Sequence, residues 1–324
     1  MLLSVDSLFT SFHLRNAVVR AVRGVSFDLA RGEILGIVGE SGSGKTVLAH
    51  SLLRLLPSPP ARITGNVRFE ERELLTGDEK ELRSIRSNSV GMIFQDPSAS
   101  FNPYMRLVDQ LIEPLQLHRK MGRSEAVAKA VAALDETGIP DAAKKINSYP
   151  HEFSGGMLQR AMIAMTLVMR PQLVLADEPT TALDVTVQAQ LLRLIRDLRD
   201  RYGMSVLFIT HNLGIVAGFC DRVLVMYAGV LLESAPAAAL FRAPAHPYTR
   251  ALMQSVPELT GGIDKLYSIP GVPPDPAAPV DGCPFFPRCA FGSDVCVTTP
   301  LQLDTIGDQH ATACIRTRCG EITW

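Results

Sequence analysis

The stretch from Gly39 to Thr46 reads Gly-Glu-Ser-Gly-Ser-Gly-Lys-Thr and matches the phosphate-binding pattern G-x-x-x-x-G-K-[ST] at every defined position. The apolar run 34–38 before it predicts a buried parallel strand, and residues 47–56 after it predict a helix. Strand, glycine loop and helix are the context that confirms this motif. Glycines let successive N–H groups point at phosphate oxygens, and the helix N-terminus adds its dipole. The loop therefore predicts an α/β fold that binds a nucleotide.

Individual residues of the loop have separate predicted roles. We expect Lys45 to reach the β- and γ-phosphates and the Thr46 hydroxyl to contact Mg²⁺. The remaining loop positions predicted to surround the phosphates are Gly39, Ser41, Gly42 and Gly44. The alternative, a chance glycine-rich turn, is disfavoured because the flanking strand and helix are both present.

The bulk composition excludes several classes of protein. The chain has 324 residues, 47% of them hydrophobic, and a net charge of −1, which gives no electrostatic reason to expect a nucleic-acid partner. The long apolar run 161–169 is too short to span a bilayer. The first residues lack the layout of a signal peptide, so we expect a cytosolic chain unless something tethers it.

The pattern along the chain predicts the domain organisation. Strands are expected in the first thirty residues and at 67–69, 90–94, 173–176, 206–210 and 223–226, and a helical pattern covers 105–169. We predict an α/β ATPase domain over residues 1–240, with an inserted helical subdomain at about 97–170. Proline, glycine and then cysteine become dense beyond it, which predicts a short appendage at 241–324 packed on the core.

Two acids end a predicted buried strand at 173–177. Acids at the carboxyl end of such a strand meet the phosphate loop in this kind of sheet. We expect Asp177 to hold Mg²⁺ and Glu178 to orient and polarise the attacking water. The alternative is an acid pair that faces solvent.

A second glycine turn, Phe153-Ser154-Gly155-Gly156, opens a second predicted helix. Ser154 is a suitable N-cap, and a capped helix start with free N–H groups can bind an anion. An ordinary capped helix is the alternative. Two phosphate-binding helix starts in one chain suggest that the second serves a neighbour's nucleotide.

Three more polar residues follow predicted strands or begin helices. Gln95 is a candidate contact for Mg²⁺ or the attacking water, and His211 is a candidate contact for the γ-phosphate. Asp184 is a candidate for reaching a partner subunit. The alternatives are a structural histidine for His211 and a simple N-cap of helix 185–202 for Asp184.

In this order, these segments resemble the ATPase subunit of an ABC transporter, from about residue 4 to about residue 318. The resemblance implies two subunits in a head-to-tail sandwich that closes on ATP and opens after hydrolysis. It also implies which residues act. Those in cis are Lys45, Thr46, Gln95, Asp177, Glu178 and His211, those in trans are Ser154 and Gly156, and Phe12 stacks on adenine.

The chain departs from the family pattern at three positions. Phe153 replaces leucine, Met157 stands where glutamine is commoner, and Thr181 replaces a frequent serine. The ion-contacting and hydrolytic positions all match, so we expect a site competent for hydrolysis.

The segments 95–103, 246–252 and 269–274 resemble those of dipeptide, oligopeptide and nickel importers. This resemblance implies a motor for di- and oligopeptide import, with nickel, opines and oligosaccharides as alternative cargoes. It implies a heterodimer with a paralogous ATPase subunit, or a homodimer, on two transmembrane permease subunits. An extracytoplasmic substrate-binding protein would deliver the cargo, and the chain would lie at the cytoplasmic face of the inner or plasma membrane.

Three other functions compete with this one. A soluble ABC ATPase acting on DNA would carry a long coiled coil between Gln95 and Ser154, where only 58 residues intervene, and one acting on ribosomes would carry two ATPase domains. The importer-like tail argues against an exporter. The intact ATP-site residues argue against a regulatory subunit with a dead site.

Four of the six cysteines, Cys283, Cys289, Cys296 and Cys314, are spaced C-x5-C-x6-C-x17-C. In a cytosolic protein such a cluster favours metal over disulfides. Zinc sites usually contain a tight C-x2-4-C pair, which is missing here, so the spacing favours a [4Fe–4S] cluster over zinc, with no metal as the third alternative. A resemblance to the importer tail, in which such a cluster is recognised, points the same way. Cys220 and Cys319 are expected to be plain thiols.

Overall fold

The structure is a computed structural model that describes residues 1–181, 183–256 and 268–322. The chain forms two compact units. The first comprises Met1–Thr76 and Ile209–Trp324, and the second comprises Gly77–Phe208. Parts of the predicted appendage, 257–267 and 323–324, lie outside the described residues.

Helices and strands alternate along the chain. The first 76 residues contain β1 (Leu3–His13), β2 (Val18–Leu29), β3 (Ile34–Val38), α1 (Lys45–Leu52), β4 (Ala61–Phe69) and β5 (Arg72–Glu73). The next stretch, to the end of β8, contains α2 (Glu79–Ile85), β6 (Val90–Ile93), α3 (Pro97–Ser100), α4 (Leu107–Arg119), α5 (Arg123–Glu136), α6 (Ala142–Lys145), α7 (Gly155–Leu167), β7 (Leu173–Asp177), α8 (Val185–Tyr202) and β8 (Ser205–Thr210). The remainder contains α9 (Leu213–Phe219), β9 (Arg222–Tyr227), β10 (Val230–Pro236), α10 (Ala237–Arg242), α11 (Pro247–Gln254), α12 (Val295–Thr298), β11 (Asp304–Gly307), β12 (His310–Thr312) and α13 (Ile315–Arg318).

Two sheet segments build the first unit. One is antiparallel, in the order β2-β1-β4-β5. In the other, β11, β12, β10 and β9 pair antiparallel in succession, and β9 then pairs parallel with β3. Every residue of β3 is buried, which explains its uninterrupted apolar sequence. The parallel pairing places the phosphate loop at the carboxyl end of β3, where open α/β sheets bind ligands.

The second unit contains the predicted helical pattern. Helices α4, α5, α6 and α7 occupy most of 107–167, and β6 and β7 pair parallel from Val90↔Leu173 to Ile93↔Ala176. Thr166 of α7 donates a hydrogen bond to the carbonyl of Met92, at 3.1 Å, so the helix lies against this strand pair. An inserted helical subdomain with boundaries at 97 and 170 stays a prediction.

Several predicted boundaries differ from the observed ones. The helix after the phosphate loop ends at Leu52 rather than 56, because Arg54 adopts a left-handed φ of 50° that a helix does not accommodate. The strand predicted at 67–69 extends over Ala61–Phe69, since it pairs along its whole length with β1. The tail does more than pack on the core: its strand β12 pairs with β10 of the sheet.

In the ranges 1–181, 183–256 and 268–322, no helix combines the length and the apolar character needed to cross a bilayer.

Candidate functional site

Tight backbone packing fixes the shape of the phosphate loop. A Cβ on Gly39 would lie 2.1 Å from the carbonyl oxygen of Met226, and one on Gly44 would lie 2.2 Å from that of Ala21. Gly44, with a φ of 100°, also caps α1 in a conformation that L side chains rarely adopt. Glycine is therefore required at both positions, and the motif's spacing reflects this backbone packing.

Lys45 lies beneath the loop that precedes it. Its side chain is buried, and Nζ donates to the carbonyl oxygens of Gly39 and Glu40, each at 2.9 Å, and to Ser43 Oγ at 3.3 Å. These acceptors ring the ammonium group with the loop's own backbone. The next residue, Thr46, is exposed on the first turn of α1. Ammonium and hydroxyl thus follow each other at a helix start, the arrangement that binds a phosphate chain and its metal ion.

Two further candidates lie in the first unit. Phe12 is half-buried in β1, between Val19 of β2 and Ala61 of β4. His211 is exposed directly after β8, where Asn212 caps α9. Their roles toward adenine and the γ-phosphate stay predictions.

The second unit holds the two acids at the end of β7. Asp177 is buried, and Glu178 follows it with a left-handed φ of 46°. Thr181 Oγ1 donates to Glu178 Oε2 at 2.9 Å, and Gln95 Nε2 approaches the same oxygen at 3.4 Å. Non-glycine residues in this conformation are strained and concentrate at functional sites. The structure thus brings together Gln95 and Glu178, and it adds Thr181, which sequence reasoning noted only as a departure from the family pattern.

The second glycine turn and the acid strand are connected within this unit. Ser154 caps α7 by accepting the N–H of Met157 at 3.4 Å, as predicted for an N-cap. The buried side chain of Gln159, one turn into α7, donates to the carbonyl oxygen of Pro179 at 2.7 Å. This bond places the segment after Glu178 against α7. Sequence reasoning missed Gln159, because a glutamine inside a helix carries no signal by itself.

The other residues of the two turns are open to contact. A Cβ on Gly156 would meet only Val187, at 3.7 Å, among the atoms within 4 Å. Asp184 accepts the N–H of Val187 at 2.9 Å and is the N-cap of α8, the role that was its alternative. Ala182, in the predicted segment 181–184, lies outside the described residues.

All four clustered cysteines line one cavity in the first unit. Cys283, Cys289, Cys296 and Cys314 surround it together with His246, whose Nε2 lies 3.8 Å from Cys283 Sγ. The backbone N–H of Cys283 donates to the carbonyl oxygen of Cys296 at 2.7 Å, so two of the four segments are tied directly. Of the remaining cysteines, Cys220 is buried beside Gly36 and Cys319 is exposed.

The chemistry of this thiol set was compared with that of a metal centre. Burial raises the pKa of Cys283 to about 12, and repulsion from the other three cysteines adds to the effect. Burial likewise raises the pKa of Cys289. A thiol in this setting stays protonated until a cation compensates its charge. Within the residues that the structure describes, no group of three or more His, Cys, Asp or Glu residues is placed to hold a metal ion. The predicted metal centre is therefore not confirmed.

Two family models match the chain. The model described as ABC transporter matches residues 22–181, and the model described as oligopeptide/dipeptide transporter, C-terminal region, matches residues 232–296. The first match contains the phosphate loop and the acid pair. The second contains β10, α11 and three of the four clustered cysteines.

Individual proteins match over almost the whole length. The chain is 51% identical to a probable peptide ABC transporter ATP-binding protein of Sinorhizobium fredii, over 98% of this chain and 95% of that protein. It is 46% identical to the oligopeptide transport ATP-binding protein OppD of Salmonella typhimurium, over 98% of this chain and 94% of that protein. Among solved structures, a dimeric bacterial ABC transporter cassette matches with a TM-score of 0.65 and 25% identity, over 72% of this chain and 98% of that one.

Proposed function

The chain belongs to the family of ATP-binding subunits of ABC transporters, and we propose that it hydrolyses ATP to power import of di- and oligopeptides through a membrane transporter. The observation that carries the peptide class is the match of residues 232–296 to the C-terminal region of oligopeptide and dipeptide transporters. Relatives named for peptide or oligopeptide transport, at 51% and 46% identity, support the same class.

The residues described above support a division of roles in hydrolysis. Lys45 and the loop amides would bind the β- and γ-phosphates, and Thr46, Gln95 and Asp177 would hold Mg²⁺. Glu178 would orient and polarise the attacking water, and the bond from Thr181 keeps its carboxylate in one position. His211 would contact the γ-phosphate, and Phe12 would stack on adenine.

We further propose the assembly in which this chemistry takes place. Ser154, Gly156 and Asp184 would act toward the nucleotide of a second ATPase subunit, either a paralogue or a second copy of this chain. A capped helix start with open space at Gly156 supports this role. The pair would bind two permease subunits peripherally, at the cytoplasmic face of the inner or plasma membrane, and an extracytoplasmic binding protein would supply the cargo.

We also propose that the cysteine cavity holds a [4Fe–4S] cluster. Four sulfurs on one zinc ion, with Zn–S bonds of about 2.3 Å, lie about 4 Å apart. The four thiols share a cavity without forming such a single-ion group, which favours the larger cluster, where each thiolate binds a different iron. Bound there, the cluster would supply four covalent ties between short segments that have little core of their own.

Metal analysis of the anaerobically purified chain tests the cluster. We expect about four irons per chain and thiolate-to-iron absorbance, both lost in Cys289→Ser. Cys319→Ser is the matched control, because Cys319 is exposed outside the cavity, and it should retain both. One zinc per chain, or neither metal, would contradict the proposal.

Transport itself is tested with the chain expressed beside its genomic neighbours and reconstituted in liposomes. We expect ATP turnover that rises with peptide-loaded binding protein and disappears in Glu178→Gln. Glu71→Gln, an exposed acid of the first unit, is the matched control and should behave as wild type. Turnover that ignores peptides but responds to nickel, opines or oligosaccharides would keep the motor and reject the cargo. Turnover that survives in Glu178→Gln would reject the catalytic assignment.

A further inference from the structure

An arginine of the C-terminal tail contacts the phosphate loop. Arg288 Nη1 donates to Glu40 Oε2 at 2.6 Å, and Nη2 donates to Glu40 Oε1 at 3.0 Å. Glu40 is the second residue of the phosphate loop, directly after Gly39. The two parallel bonds form the bidentate geometry that makes arginine–carboxylate pairs strong and directional. The pair therefore joins two parts of the first unit that are 248 residues apart.

The guanidinium group is fully occupied in this position. Besides its two bonds to Glu40, Arg288 donates to Tyr227 Oη at 3.1 Å and to the carbonyl oxygens of Ile269 and Pro270 at 3.2 and 3.0 Å. These five bonds use all five N–H donors of the side chain. Its side chain is only 4% exposed, whereas that of Glu40 is 26% exposed. A buried cation held by so many acceptors has one orientation, so it fixes the position of its partner.

The tail also holds the loop backbone at Glu40. The N–H of Glu40 donates to Tyr248 Oη at 2.9 Å, and the carbonyl oxygen of the same residue accepts from Lys45 Nζ at 2.9 Å. Side chain, N–H and carbonyl of Glu40 are thus all engaged, two of them by tail residues. The next residue after Arg288 is Cys289, which lines the cysteine cavity, so this contact is continuous with the cysteine segment.

The charge of Glu40 gives the contact a consequence for nucleotide binding. A carboxylate in the loop that surrounds a triphosphate repels it unless the carboxylate is compensated. We propose that Arg288 is a positioning residue for ATP binding, which neutralises Glu40 and holds the phosphate loop open for the nucleotide. This inference rests on the proposed function, because it assigns a role in binding the ATP of that site.

Titration of the full-length chain with a non-hydrolysable Mg-ATP analogue tests the proposal. We expect Arg288→Gln to weaken binding about tenfold, the effect of one uncompensated unit charge near the phosphates at an effective dielectric constant of about 20. The double variant Glu40→Gln/Arg288→Gln removes the unpaired carboxylate and should return to within about threefold of wild type. Arg288→Lys keeps the charge without the paired bonds and should fall between the two.

Controls separate a charge effect from loss of structure. Arg318→Gln removes another tail arginine paired with a carboxylate, Asp304 at 2.7 Å, and should bind as wild type. If Arg288→Gln does not fold, as judged by its melting curve, Arg288→Lys and the double variant carry the test. Wild-type affinity in the Arg288 variants, or a double variant as weak as Arg288→Gln, would overturn the proposal. Failure of the wild-type chain to bind the analogue, at the level of Lys45→Ala, would instead refute the proposed function.

Discussion

Glu233 offers a sharp test of how the tail is attached to the sheet. Its carboxylate is fully buried in β10 and accepts four hydrogen bonds. Oε1 accepts from the N–H of Ala245 at 2.6 Å and from His310 Nε2 at 2.8 Å, and Oε2 accepts from the N–H of His246 at 2.9 Å and from Thr249 Oγ1 at 2.5 Å. One side chain thus connects β10 to the start of α11 and to β12.

Glu233→Gln preserves the shape of this side chain but replaces one acceptor oxygen with an NH₂ group. Two of the four bonds are then lost, and their donors face another donor. With hydrogen bonds to a charged group contributing about 1.5–3 kcal/mol each, we expect the free energy of unfolding to fall by about 3–6 kcal/mol. Against a total stability of about 5–15 kcal/mol, this is a large fraction. Thermal and urea unfolding of the purified chain measure it.

Thr249→Val is the matched control, because it removes a single donor and leaves the carboxylate intact. We expect it to cost about 1–2 kcal/mol. Hydrogen exchange at the amides of Ala245 and His246 locates the effect and should accelerate in Glu233→Gln only. A Glu233→Gln chain within 1 kcal/mol of wild type, taking about 1 kcal/mol as the scale of one ordinary hydrogen bond, would refute the reasoning.

Three other variants test separate features. Gly44→Ala should abolish ATP binding and lower the melting temperature, because its Cβ would lie 2.2 Å from the Ala21 carbonyl oxygen; circular dichroism and nucleotide titration measure both. Thr181→Val should reduce turnover about tenfold with unchanged ATP affinity, since the bond that orients Glu178 is lost; equal loss of affinity would contradict this. Burial lowers the pKa of His246 to about 3, so the unfolded chain takes up a proton below its usual pKa of 6.5 and the folded chain does not. Stability should therefore be complete above pH 6.5 and fall by about 1.4 kcal/mol per pH unit below it, a slope that His246→Asn removes.

Much of the nucleotide chemistry could be predicted from the sequence. The phosphate loop, the acid pair after β7 and the capped second helix each depend on residues within a short segment and on the strand or helix that flanks it. Gly44 illustrates the reason: its left-handed φ and its close approach to another backbone allow only glycine, so the requirement is visible in the sequence. The α/β class and the positions of β3, β7, β8 and β9 followed from uninterrupted apolar runs.

The errors of prediction share one physical cause. The end of α1 and the length of β4 depend on backbone conformation and on pairing with β1, which no local pattern records. Thr181 and Gln159 act through single hydrogen bonds to Glu178 and to the carbonyl oxygen of Pro179. A polar residue that acts through one contact looks the same in sequence as one that faces solvent.

The sequence by itself determined the nucleotide-binding class of this protein, because phosphate recognition needs a contiguous glycine loop at a helix start. It also determined which cysteines form a set, through their clustering. Only the tertiary structure decided that those cysteines line one cavity, that Glu233 joins β10 to the tail, and that Arg288 meets Glu40 across 248 positions. Such contacts join segments far apart in the chain. Their partners are set by the folded backbone, which brings buried charges into range of one another, and not by spacing along the sequence.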